Sequence, residues 1–220
     1  MKLWLFDIDG TLVNITPVHL ATYQKMYHDI VGVVPSDAVF LSGFGMAEFE
    51  MHHFIFEKIG VTDVSLIPRL ISVHTSYFQK ELEHATVVPL PGAVGFLEAL
   101  KRRGEQIAIV TGNLLENAER ILRKAGLHEY FSFISCDSGG MKRWQIVVAA
   151  VQKVEVDEVV IIGDTVHDIV AAREAAHSLG KKITVAVVAT GTCTSKELKD
   201  ARPDMYFKTL DDYKEGFGLD

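Results

Sequence analysis

The sequence predicts an α/β fold in which a parallel sheet is covered by helices on both faces and a helical unit is inserted after the first strand. Three observations carry this. From Ala93 onward, short apolar segments alternate with helix-length amphipathic ones. The apolar segments are continuous and rich in β-branched residues, as in strands buried on both faces. The stretch from Val13 to Thr86 shows helical periodicity and no clear strand.

Lys2-Leu3-Trp4-Leu5-Phe6 is an apolar run leading straight into Asp7-Ile8-Asp9-Gly10-Thr11. It predicts a buried strand that delivers two carboxylates to its C-terminal edge. Side chains alternate along a strand, so Asp7 and Asp9 leave on the same side. Gly10 lets the chain turn and lets backbone approach a ligand. An Asx-type turn would explain one Asp and the glycine, but not a second carboxylate two residues away.

Pro17 to Val33 reads as a helix with the proline near its start, and Val34-Pro35-Ser36-Asp37 as punctuation. Met46 to Ile59 and Val64 to Leu82 are further helices, and Val87-Val88-Pro89-Leu90-Pro91-Gly92 leads back out of the insertion. Next come a helix at Ala93 to Arg103 and a strand at Gln106 to Val110 ending in Thr111-Gly112-Asn113. A helix follows at Leu114 to Ala125, with Gly126 as its C-cap. Phe131 to Ser135 reads as a strand and Trp144 to Val154 as a helix. Val159 to Ile162 is a strand ending in Gly163-Asp164-Thr165, and Ile169 to Leu179 a helix. Ile183 to Val188 is a further strand. Short helical pieces at Lys196 to Ala201 and Leu210 to Tyr213 flank a last strand at Met205-Tyr206-Phe207.

Composition narrows the function classes. A chain of 220 residues, 48% hydrophobic and 23% charged, is globular and long enough for a core plus an insertion. Its net charge of -7 argues against nucleic-acid and anionic-membrane surfaces, so an anionic substrate needs a local cation. The two cysteines, Cys136 and Cys193, form no motif and suggest a reducing compartment. The N-terminal apolar run is too short, and too acidic at Asp7 and Asp9, for a signal peptide, and no stretch is long and apolar enough to span a membrane. The expectation is a soluble, cytoplasmic protein.

In parallel sheets ligands bind at the strands' C-terminal ends. Three of these ends carry distinct groups. The first gives Asp7 and Asp9. The second gives the Thr111 hydroxyl, with Gly112 and Asn113 exposing N–H groups ahead of a helix, a natural phosphate seat. A later one gives Asp164, with Asp168 four residues on; either acid also suits a helix cap. Two carboxylates at ~4 Å repel by roughly 1 to 4 kcal/mol at effective dielectric constants of about 80 to 20, so several converging acids call for a cation. Oxygen ligands beside a phosphate suit Mg²⁺. One Asp would then act as nucleophile and another as proton donor. Lys142 and Arg143, after Ser138-Gly139-Gly140, offer a cation for the phosphate or a solvated pair at a helix start.

Asp7-Ile8-Asp9-Gly10-Thr11-Leu12, Thr111-Gly112-Asn113 and Gly163-Asp164-Thr165-Val166-His167-Asp168 resemble three motifs of the haloacid dehalogenase superfamily, in the family's order and at its usual spacing. The resemblance implies a Rossmann-like core, residues 1–12 and 87–220, with a helical cap at 13–86. It implies that Asp7 attacks phosphorus to give an aspartyl-phosphate, and that Asp9 protonates the leaving group and then activates water. Gly10, Thr111, Gly112 and Asn113 would hold the phosphoryl oxygens. Mg²⁺ would be bound by Asp7, the Asp9 backbone carbonyl and Asp164, and Asp168 would orient the basic residue or a metal-bound water. The family's remaining motif is usually a Lys followed by prolines; here Met141-Lys142-Arg143-Trp144-Gln145 has no proline. Members similar to phosphoglycolate phosphatases use Arg there, and Ile146 fits that variant's apolar spacing, which favours Arg143 over Lys142.

Asp9 argues for phosphoryl transfer, because dehalogenases lack an acid at this position. Phosphonate hydrolases need a cap lysine; Lys25, Lys58 and Lys80 are not marked by their surroundings. His19 falls where sugar-phosphate mutases carry a histidine, or is a polar residue on a helix face. Ser42-Gly43-Phe44-Gly45 is either a substrate-facing cap loop or an interhelix turn. His52-His53 reads as a surface pair, because adjacent residues point to different sides of a helix. Trp144 and His167 either line the pocket or pack at its rim. The expected protein is a Mg²⁺-dependent phosphatase resembling phosphoglycolate phosphatases, a monomer or dimer acting on a small phosphorylated metabolite. The alternatives are a phosphosugar mutase and a non-catalytic phosphate-binding regulatory protein.

Overall fold

The computed structural model describes residues 2–138, 140–212 and 216–218. Six strands form one sheet: β1 (Lys2–Phe6), β2 (Gln106–Val110), β3 (Ile134–Ser135), β4 (Glu158–Gly163), β5 (Ile183–Val188) and β6 (Met205–Phe207), in the order β3-β2-β1-β4-β5-β6. Every neighbouring pair is parallel; Leu5 stands beside Ala108 of β2 and Ile161 of β4. This is the parallel sheet that the continuous apolar runs call for. The expected strand at Phe131 to Ser135 is shorter than its apolar run. Ile134 and Ser135 stand in register with Ile109 and Val110 of the neighbouring β2, while Ser132 and Phe133 make backbone hydrogen bonds to it as the chain arrives from a 3₁₀ turn at His128–Tyr130. Of the piece expected at Leu210 to Tyr213, Leu210–Asp212 forms a 3₁₀ turn; Tyr213 lies outside the described residues, as does Gly139.

Strand alternation builds two apolar layers. Trp4 and Phe6 of β1 face α5 (Ala93–Arg102) and α6 (Leu115–Lys124), packing with Phe96, Leu97, Leu100 and Ile121. Leu3 and Leu5 point the other way, with Ile146 and Val147 of α7 (Arg143–Gln152) and Ile169 and Ala172 of α8 (Val166–Leu179). Burying a side chain of this size contributes roughly 1.5–3 kcal/mol. A short α9 (Ser195–Asp200) leads to β6.

Between β1 and α5 come four helices: α1 (Thr16–Met26), α2 (Asp37–Gly43), α3 (Glu48–Ile59) and α4 (Ile67–His84). Pro17 occupies the first turn of α1, where its missing N–H costs nothing. The expected single helix to Val33 instead widens into a π turn at Tyr27–Val31. Helix α2 was not expected; its start coincides with the Pro35-Ser36 punctuation, with Ser36 at its N-cap. Tyr23, Met26, Tyr27, Phe40, Met51, Ile55, Phe56 and Leu70 form an apolar cluster of their own. The chain leaves and re-enters the sheet at one place, since Val13 bridges Pro89 and the Leu90 N–H donates to the Leu12 carbonyl at 2.8 Å.

Candidate active site

Asp7, Thr111 and Asp164 follow the C-terminal ends of β1, β2 and β4, three adjacent strands, so sheet order alone brings them together. All three are buried. Gly10 closes the turn after β1 with φ +76°, and a Cβ there would lie 2.2 Å from Asp164 Oδ2. Glycine therefore serves both the left-handed backbone and the close approach. Thr11 Oγ1 donates to Asp164 Oδ1 at 3.2 Å.

Arg143 enters from the first turn of α7. Its Nη2 donates to Asp7 Oδ1 at 2.7 Å, to Asp168 Oδ1 at 2.8 Å and to the Val110 carbonyl at 3.1 Å. The guanidinium is 5% exposed, and its Nε and Nη1 have no hydrogen-bond partner. Buried donors left unpaired are costly, so these are positions for an anion to fill. Lys142, by contrast, is the exposed N-cap residue of α7, where its backbone N–H donates to Gln145 Oε1 at 2.8 Å. Of the two basic candidates the structure brings Arg143, not Lys142, to the carboxylates.

Asp168 bonds both to the first turn of its own helix and to Arg143. Its Oδ2 accepts from the Thr165 N–H at 3.1 Å and hydroxyl at 2.7 Å, while Oδ1 holds Arg143. Asp9 Oδ2 accepts from Asn113 Nδ2 at 2.6 Å and lies 3.2 Å from His19 Nε2, whereas its buried Oδ1 has no partner. Asn113 also donates to Thr111 Oγ1, from Nδ2 at 3.1 Å and from its N–H at 3.2 Å. Gly112 admits the insertion to the sheet edge: a Cβ there would meet the Met46 carbonyl oxygen at 2.2 Å.

Burial pushes Asp7 up to about 7; Arg143 opposes this, and Asp168 and Asp9 add to it. Burial likewise raises Asp164 well above the usual carboxylate range, helped by Asp168 and Asp7. Burial lowers His19, but Asp9, with Glu48 and Asp7, more than offsets this and leaves its pKa raised. Oxygens of Asp7, Asp164 and Asp168 lie within 4.8 Å of one another. Arg143 serves Asp7 and Asp168, while Asp164 accepts from the Thr11 hydroxyl. An all-oxygen set with this excess of negative charge fits Mg²⁺.

The cavity is closed on the far side by the insertion, through His19, Tyr23, Phe44, Met46, Glu48 and Met51. Phe44 and Gly45 are thus both the turn after α2 and part of the cavity wall. His19 is 6% exposed and touches Asp9, so it is not merely a polar residue on a helix face. His52-His53 is not a surface pair. His53 is exposed, but His52 is fully buried, bonded to the Tyr27 hydroxyl at 2.9 Å and to Glu48 Oε1 at 3.0 Å. Partners inside the insertion make that burial tolerable. Trp144 and His167 line a neighbouring surface pocket with Lys142 and Glu174 and are not among the residues lining the cavity above. Lys25, Lys58 and Lys80 do not reach the cavity either. Among the lining residues missed from sequence are Tyr23, Glu48 and Met51. The available signals were an acid on the apolar face of α3 with Met51 and Ile55, and a tyrosine one turn after His19.

Comparisons with known proteins identify the family and the fold. The model of the haloacid dehalogenase-like hydrolase family matches residues 1–176, and a second, HAD-hydrolase-like model matches 143–213. The chain is 28% identical over 180 residues to a phosphoglycolate phosphatase of Agrobacterium fabrum, covering 78% of this chain and 76% of that protein. It is 28% identical over 225 residues to the pyrophosphatase PpaX of Bacillus pumilus, covering 98% and 96%. The crystal structure of a hydrolase from Pseudomonas syringae superposes with a TM-score of 0.82 at 24% identity over 97% of each chain, a likeness of fold.

Proposed function

Because the chain belongs to the haloacid dehalogenase-like hydrolase family, we propose that it is a Mg²⁺-dependent phosphatase that hydrolyses a small phosphate monoester through an aspartyl-phosphate on Asp7. The observation that carries the reading is the pairing of Asp7 with a buried guanidinium whose Nε and Nη1 are unpartnered, beside a second acid, Asp9, with one oxygen free.

The substrate phosphoryl group sits between Asp7, the Thr111 hydroxyl and the Gly112–Asn113 segment. Asp7 attacks phosphorus, forming an O–P bond as the bond to the leaving oxygen breaks. Asp9 gives that oxygen its proton; Asn113 and His19 engage Oδ2, and the unpartnered Oδ1 carries the proton. Water then attacks the phosphoryl group, Asp9 takes its proton, and Asp7 is released with inorganic phosphate. Acid–base help of this kind typically contributes ~10²–10⁴-fold. Asp7 and Asp164, with the Asp9 backbone carbonyl, would hold Mg²⁺, which supplies positive charge for the nucleophile and the phosphoryl oxygens. Asp168 fixes Arg143, and the helical cap, residues 13–86, covers the site and keeps bulk water out.

The test is inorganic phosphate release from p-nitrophenyl phosphate and a panel of small esters, with and without Mg²⁺. Activity that needs Mg²⁺ and disappears in Asp7→Asn supports the reading; no release from any ester by folded protein overturns it. The His19–Asp9 contact favours one second reading, a phosphosugar mutase. That enzyme would interconvert sugar phosphates with a bisphosphate activator and release little phosphate.

A further inference from the structure

The cavity has two unlike ends. At the sheet end Arg143 Nη2 is committed to Asp7, Asp168 and the Val110 carbonyl. At the insertion end the wall is aromatic and apolar through Phe44, Met46 and Met51. Its polar groups there are already engaged with one another. Tyr23 donates to Glu48 Oε2 at 2.8 Å, and His52 Nε2 holds Glu48 Oε1 at 3.0 Å. His74 Nδ1 approaches the same oxygen at 3.2 Å without hydrogen-bond geometry. His19 is turned to Asp9. Among the described residues that line the cavity, Arg143 is the sole lysine or arginine.

With the phosphoryl group at Asp7 and Thr111, the leaving group must lie against this insertion wall. We propose that the enzyme selects phosphate monoesters whose leaving group is uncharged, and that Glu48 and the wall around it, which holds no lysine or arginine and whose His19 is engaged by Asp9, discriminate against leaving groups carrying a second anion. The inference rests on the phosphatase reading above. A carboxylate here would be desolvated beside Glu48 with no lysine or arginine to meet it and with His19 already paired to Asp9, and a buried anion without a partner is strongly disfavoured. An ammonium gains little, because both Glu48 oxygens are already occupied. A hydroxylated or apolar leaving group meets neither penalty. This separates the chain from what the name of its phosphoglycolate phosphatase relatives implies, since phosphoglycolate ends in a carboxylate.

Three near-isosteric esters test it with the Mg²⁺-loaded enzyme: 2-hydroxyethyl phosphate, phosphoethanolamine and phosphoglycolate, with p-nitrophenyl phosphate as reference. The expected kcat/KM for 2-hydroxyethyl phosphate exceeds that for phosphoglycolate by at least about tenfold, and exceeds that for phosphoethanolamine by a smaller factor. Glu48→Gln narrows the gap to phosphoglycolate. Met46→Lys, at a half-buried wall position, narrows or reverses it and serves if Glu48→Gln does not fold. Phosphoglycolate or phosphoethanolamine turned over as well as 2-hydroxyethyl phosphate overturns the inference while leaving the phosphatase reading standing. Loss of turnover of all four esters removes both.

Discussion

At the scale of single residues, Arg143 concentrates most of the site's electrostatics. It neutralises Asp7 and Asp168 at 2.7 and 2.8 Å inside the protein. Removing one partner of a buried pair typically costs ~3–5 kcal/mol, because the other charge is left unpaired. Arg143→Ala should therefore lower the urea midpoint markedly as well as abolish turnover. Arg143→Lys should recover most of the stability but little of the activity, because an ammonium cannot reproduce the guanidinium fork; full activity in the lysine variant would contradict the assignment. His74 gives a second residue-level prediction. Burial holds it down to about 4 from an ordinary value of 6.5, against the pull of Glu48. Between those values the unfolded chain takes up a proton that the native protein refuses, so stability falls as pH drops through this window. Glu48 adds a further loss between 4.5 and 2: burial would raise its pKa, but His74 and His52 outweigh that and lower it to about 2. His74→Gln should flatten the first part of the profile, an effect on the order of 3 kcal/mol at most. An unchanged slope of unfolding free energy between pH 6.5 and 4 would count against it.

At the scale of elements, the helix that carries Asp168 is built to hold it. Thr165 caps α8, accepting from the Asp168 N–H at 3.3 Å and donating its own hydroxyl to Asp168 Oδ2 at 2.7 Å. Thr165→Val should cost about 1 kcal/mol of stability, the usual worth of such a cap. It should lower kcat more than that loss alone suggests, because a loosened Asp168 no longer fixes Arg143. A fall in melting temperature with unchanged kcat would show the cap to be structural only. The strand–turn–helix units were the most legible part of the sequence: β2, β5 and β6 fall at the residues their apolar runs mark. Helix α2 was hidden because its seven residues are too few to show a period and sit between Pro35 and Gly43–Gly45. Asp7 and Asp164 were legible because each follows directly on a strand, with Asp9 two residues after Asp7. The residues alone narrowed the basic group only to Lys142 or Arg143, and the family resemblance favoured Arg143; the first turn of α7 decides which residue turns inward.

At the scale of the whole molecule, two ideas about one cavity meet: the sheet edge supplies reaction chemistry, and the insertion supplies the wall against the leaving group. The first was readable from sequence because strand ends converge by topology. The second was not, because Tyr23, Glu48 and Met51 come together only when α1 and α3 pack. The carboxylate excess at the sheet edge also predicts that Mg²⁺ stabilises the folded protein by mass action. The melting temperature should rise with Mg²⁺ in the native chain, and much less in Asp164→Asn; equal shifts would place the metal elsewhere. The most direct test of the central claim is to trap the covalent intermediate. Enzyme turning over p-nitrophenyl phosphate is quenched with borohydride, which reduces an acyl phosphate to the alcohol, and its peptides are sequenced by mass spectrometry. The account predicts homoserine at position 7 and nowhere else, dependent on substrate and Mg²⁺. Reduction at Asp9 or Asp164 instead, or turnover that persists in Asp7→Asn, would contradict it.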